Sequence, residues 1–164
     1  MTPSKIAARL ALGAAVAVSA LVGTTGCSLI SPQATLIKYD PAEGVGANLG
    51  QVSIRSAEAV ANPDTGAISI VFTAINPTSE TVSVNVAVGK SGVDGEKTVS
   101  VDAGKSVVVG EDAREIVIDD PTDAEVGSLY PVTFQAADSD SVQLEVPVLT
   151  DSGRPFLTQF VPES

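Results

Sequence analysis

Thr81-Val82-Ser83-Val84-Asn85-Val86-Ala87-Val88 sets a valine at every second position against threonine, serine, asparagine and alanine. Successive side chains of a β-strand point to opposite faces, so this octapeptide reads as a strand with one buried face and one wet face. The alternation returns at Val142, Leu144, Val146 and Val148, set against Gln143, Glu145 and Pro147. Proline cannot donate a ladder hydrogen bond, which predicts that this second strand lies at an edge or pairs through its other side at that point. Six further runs, 51–60, 67–75, 96–101, 106–109, 115–118 and 130–136, have strand composition. Asn62-Pro63-Asp64-Thr65-Gly66, Asn76-Pro77-Thr78-Ser79 and Val93-Asp94-Gly95-Glu96 separate them as turns, where proline presets φ and glycine tolerates positive φ. Eight short strands at this spacing, without a helical period among them, predict an all-β domain over residues 49–150. Its expected architecture is an antiparallel β-sandwich of Ig-like or cupredoxin-like form.

Upstream the composition changes. Lys5 and Arg9 precede an apolar run from Leu10 to Gly23, and Thr24, Thr25 and Gly26 lead to Cys27, the only cysteine in the chain. This is the layout of a secretory signal over residues 1–26. The run is shorter than the ~20 residues needed to cross a bilayer core as a helix, so removal after Gly26 is expected rather than a permanent span. A cysteine directly after a small residue resembles the lipobox of bacterial lipoproteins, with Thr24 where leucine is usual. The resemblance implies a lipid on the Cys27 thiol and a membrane partnership through that anchor on the extracytoplasmic face. Two acyl chains, each contributing about 0.8 kcal/mol per buried CH₂, anchor stably where one is marginal. Residues 27–48, broken by Pro32, Pro41, Gly44 and Gly46, read as the lipidated N-terminus and tether.

Removing the signal takes Lys5 and Arg9 and leaves seven of the nine basic residues against 20 acidic ones, a net charge of −13 against −11 for the whole chain. A surface so charged repels nucleic acid, which excludes it as a partner. Histidine is absent, which removes the commonest general base and the commonest transition-metal ligand. Without histidine there is no Ser-His-Asp triad, and no S-x-x-K run replaces it. Paired carboxylates could in principle serve a glycosidase, but six aromatic residues offer little to hold a sugar. No catalytic, cofactor-binding or metal-binding residue is assigned, and a non-enzymatic chain is expected.

Three features invite other readings. Gly89-Lys90-Ser91 and Gly104-Lys105-Ser106 look like the end of a phosphate-binding loop, yet Val84 and Val99 stand where its first glycine belongs and strands surround both. Hairpin turns account for them. Glu111, Asp112, Glu115, Asp119, Asp120, Asp123 and Glu125 crowd one connection, but without the D-x-[DN]-x-[DN]-G loop of a calcium site they read as a solvated segment. Asp138-Ser139-Asp140 is a turn. The C-terminal tail, 151–164, carries Phe156 and Phe160 and either docks on the domain or binds a partner.

Tyr39-Asp40-Pro41-Ala42-Glu43-Gly44-Val45-Gly46, Gly50-Gln51-Val52-Ser53-Ile54-Arg55, the Ile75-Asn76-Pro77 turn, Tyr130-Pro131-Val132-Thr133-Phe134 and Val142-Gln143-Leu144-Glu145-Val146-Pro147-Val148 occur in this order. In that order the chain resembles LpqE-type lipoproteins of actinobacteria, a family similar in fold to the periplasmic copper-chaperone PCuAC domain. The resemblance implies an envelope lipoprotein acting as a binding or accessory module for envelope proteins or envelope components. The alternative it implies is a metal-handling envelope protein, copper-chaperone-related or carboxylate-based. Copper chaperones of that kind bind Cu(I) through histidine and methionine, and here the only methionine is Met1, so the copper site itself is not carried over.

Overall fold

The computed structural model describes residue 13 and residues 44–111, 114–137 and 139–163. Cys27, the rest of the expected signal and tether up to residue 43, Asp112 and Asp138 lie outside the described residues. Nine strands follow one another within the compact unit Asp40–Ser164. They are β1 (Val45–Leu49), β2 (Val52–Ala61), β3 (Ile68–Ile75), β4 (Val82–Val88), β5 (Gly95–Val101), β6 (Ser106–Val109), β7 (Val117–Ile118), β8 (Leu129–Ala136) and β9 (Val142–Leu149). The path through the sheet runs β5-β4-β8-β9-β2-β3-β6, with β1 beside β2 and β7 beside β3. All pairings are antiparallel except one. The expected all-β, sandwich-like fold is present as a nearly closed sheet, and it departs from the antiparallel expectation only where β2 and β9 run parallel through Ala59↔Val148 and Val60↔Leu149. The physical reason is that β1 pairs with residues 52–57 of β2 and β3 runs along it as well, so β9 meets β2 only at its C-terminal end.

The alternation that predicts the fold also builds the core. Val84, Val86 and Val88 of β4 meet Val99 and Val101 of β5, Ile70 and Phe72 of β3, and Tyr130, Val132 and Phe134 of β8 in one buried cluster. Phe72 and Phe134 join the two halves of the sheet as an edge-to-face pair, ring centroids 5.0 Å apart and planes at 79°. Pro147 sits within β9 without breaking it. Val148 donates its N–H to Ser128 on the β8 side (3.0 Å), so alternation turns the nitrogen of Pro147 to the opposite edge, where pairing with β2 begins only at Val148.

Strand β1 falls within the stretch read as a tether. Gly44 just before it and Gly46 within it, taken from sequence as chain breaks, are instead what lets it approach β2. β2 bulges between Arg55 and Glu58 with Ser56 at φ 51°, and a Cβ at Gly44 would stand 2.5 Å from the Ser56 carbonyl carbon. At Gly46 a Cβ would stand 2.8 Å from the Ile54 oxygen. Arg55 then fastens β1 by donating to the Ala47 carbonyl (3.0 Å) and to Asn48 Oδ1 (2.8 Å).

Gly104 does not form a hairpin. β5 pairs with β4 and β6 with β3, so the connection through Asp102–Lys105 crosses between the two ends of the strand path. Gly104, at φ 66°, donates to Thr78 on the way. Gly89 does close a hairpin, β4 to β5, through a single 3-10 turn at Lys90–Gly92. The tail docks: a 3-10 segment at Pro155–Phe160 buries Leu157 against Val60 and Val71 on the outer face of β2 and β3.

Candidate functional site

Tyr130 opens the inner face of β8 and is only 1% exposed, so its ring belongs to the core while its hydroxyl reaches the end of the sheet. There it donates to Asp94 Oδ2. Thr122 donates to the other oxygen of the same carboxylate (3.1 Å). Asp94 thus joins three chain segments: its own β4–β5 hairpin, the connection between β7 and β8, and the start of β8. Burial, then the hydrogen bond and charge of Asp94, push the Tyr130 phenol well above its ordinary range, because the phenolate would be both desolvated and set against a carboxylate. The hairpin needs glycine at 89: φ there is 79°, and a Cβ would fall 2.3 Å from Asp94 Oδ2. Gly89 also donates to the Pro131 carbonyl (2.9 Å), which fixes the hairpin to β8.

Above this junction lies a groove of about 210 Å³. Val93, Leu129 and Pro131 form its apolar lining, and Val93 and Leu129 are 70% and 61% exposed. Val93 of the hairpin and Leu129 of β8 converge here from positions far apart in sequence, so that they form an exposed apolar patch rather than scattered single residues. The rim is polar. Lys90 and Asp123 face one another across 3.9 Å, and Gln143 donates to Glu145 Oε1 (2.9 Å) on the β9 side. Asp123 holds φ 65°, a left-handed conformation that Asp tolerates better than most residues.

The two glycine-lysine-serine motifs are separated by the fold and form no phosphate cradle, one being the hairpin at this groove and the other the crossover near Thr78. The described carboxylates of the acidic connection, Glu111, Glu115, Asp119, Asp120, Asp123 and Glu125, are all exposed. Among the described residues no group of three His, Cys, Asp or Glu side chains is placed to hold a metal ion. A wider cleft of about 560 Å³ follows the seam between β5 and β7, where Lys97 Nζ donates to the Glu115 carbonyl; its lining is mainly polar. Sequence reading missed the apolar groove. Val93 and Leu129 lie 36 positions apart, and the pairing of β4 with β8 together with the Asp94–Tyr130 contact brings their segments together.

No protein-family model matches the chain, and no curated protein matches it. Among solved structures, the copper-bound PCuAC domain from PmoF2 is similar at 12% identity with a TM-score of 0.49, over 65% of this chain and 98% of that domain. The apo PmoF2 PCuAC domain gives 12% and 0.48 over 65% and 95%, and the apo PCuAC domain from PmoF1 gives 12% and 0.49 over 65% and 99%. The structural similarity to PCuAC domains expected from the sequence is present at this level. No residue role is taken from those proteins.

Proposed function

We propose that this chain is a non-enzymatic binding module of the cell envelope, held on the extracytoplasmic face by a lipid on Cys27, with the groove beside Leu129 as its contact surface. The observation that carries the reading is the exposure of Val93 and Leu129 over an apolar lining at a rigidly fastened corner. An apolar patch rimmed by polar groups is the ordinary anatomy of a protein contact. The resemblance of the sequence to LpqE-type lipoproteins supports the envelope location, and the signal layout before Cys27 supports the anchor. A photo-crosslinking side chain at Leu129 should capture one envelope protein that the same probe at Ser100, on the outer face of β5, does not. Identical capture from both positions would remove the groove from consideration. The competing reading, a metal-handling envelope protein, would draw on the carboxylates at 119–125 and is separated from this one by the calcium titration given below.

A further inference from the structure

The groove has a rim whose charge is one-sided. Asp123 and Glu145 border it, and Asp119, Asp120 and Glu125 occupy the same connection as Asp123. Against them, among the described residues that line the groove, stands one cation, Lys90 of the hairpin. The chain as a whole carries −11, so its long-range field attracts cations and repels anions. Lys90 lies in the lining with its ammonium facing the Asp123 carboxylate. Its ion pair with Asp123 is 3.9 Å long between side chains 82% and 80% exposed, a weak contact that an incoming cation can replace.

From this charge complementarity, and resting on the groove being the contact surface, we infer that its occupant is a cationic, apolar-anchored stretch of a partner polypeptide. Leucine- or valine-sized side chains fill the lining between Val93, Leu129 and Pro131. Lysine or arginine beside them meets Asp123 and Glu145. Apolar contact supplies the affinity and opposite charge supplies register and rate of encounter.

The test uses the full chain, labelled for amide chemical shifts, with a short peptide alternating lysine and leucine and its glutamate–leucine counterpart as probes. The lysine peptide should shift amides in 90–94, 122–129 and 143–145, and its affinity should fall as salt is raised, since these charges are exposed. Asp123→Asn should weaken it about twofold to fivefold, and Lys90→Ala should tighten it by a similar factor, the range expected for one exposed ion pair. Asparagine keeps the left-handed backbone at 123, so loss of the fold does not confuse the result. Glu80→Gln, at the other end of β4, should leave the affinity unchanged. Equal binding by the glutamate peptide, equal weakening by Glu80→Gln, or no shift in these segments with the lysine peptide would each overturn the inference. Crosslinking from Leu129 decides separately whether the groove binds a protein at all, so the two failures are distinguishable.

Discussion

Asn76 donates from its side-chain amide to the carbonyl of Val101, 25 positions later, at 2.9 Å, and so ties the end of β3 to the end of β5. These strands lie near opposite ends of the path through the sheet. The same amide reaches the carbonyls of Glu80 (2.8 Å) and Asp102 (3.2 Å), while Asn76 Oδ1 accepts from the N–H and hydroxyl of Thr78. The side chain is fully buried. A buried polar group left without its partner costs about 1–3 kcal/mol, and Asn76→Ala strands several at once. We expect a loss of about 3 kcal/mol in urea unfolding, and a larger one for Asn76→Asp, whose second oxygen would face three carbonyls. A loss below about 0.5 kcal/mol, the range of ordinary surface substitutions, would show that the junction is not holding the sheet ends together.

Tyr130 makes stability depend on alkaline pH. The folded phenol titrates above the unfolded one, so the folded state holds its proton where the unfolded state has lost it. Its contribution is complete below the unfolded value of about 10 and falls as pH rises beyond it, by up to about 1.4 kcal/mol per pH unit. Tyr130→Phe should lower stability at pH 7 and flatten that alkaline slope. Parallel stability curves for the two proteins between pH 9 and 11.5 would show that the hydroxyl is not held as described.

Register is tested on β4. Val84 is 0% exposed between Val99 and Ala136, whereas its neighbour Asn85 faces water and accepts from Thr98 at 2.8 Å. Val84→Asp places an unpaired carboxylate in the core and should cost several kcal/mol. Asn85→Asp keeps the acceptor and should cost about 0.5 kcal/mol or less. Denaturation midpoints of the two variants measure the difference directly.

The proposed anchor rests on one thiol. Cys27→Ala should abolish incorporation of labelled palmitate and leave the protein either uncleaved or shed into the medium. A wild-type chain that never takes up label would end the lipoprotein reading.

Metal binding separates the two functional readings. With no histidine and only Met1 as methionine, residues 28–164 offer no imidazole or sulfur, and the full chain with Cys27 acylated should show no tight Cu(I) binding in a competition titration. Calcium prefers the oxygens that Asp119, Asp120 and Asp123 supply. Exposed carboxylates in a solvated connection should give only weak association that salt suppresses. Micromolar calcium affinity, accompanied by a raised Tm and abolished by Asp120→Asn, would favour the metal-handling reading instead.

The strands legible in the sequence were those whose period is two and whose inner face is large: Val84, Val86 and Val88, then Val146 and Val148, sit where alternation puts them. β1 was not legible, because Val45-Gly46-Ala47-Asn48-Leu49 has no alternation, and Gly44 and Gly46 answer to the close approach of another strand, β2. The parallel β2–β9 contact and the crossover at Gly104 depend on which strands become neighbours, information that no local pattern carries. The candidate groove was hidden for the same reason. Its lining comes from 93, 129 and 131, and the contact that gathers them spans 36 positions.

β9 is the last strand in the chain, yet it lies between β8 and β2 in the sheet. Without residues 142–149 the sheet consists of two pieces with no strand pairing between them, β5-β4-β8 and β2-β3-β6 with β1 and β7 attached. Each has an open edge where β9 will enter, and open edges pair with other chains. The chain therefore carries its greatest aggregation hazard while residues 142–149 are missing, and truncation ahead of Val142 leaves two half-sheets with open edges rather than a smaller folded domain.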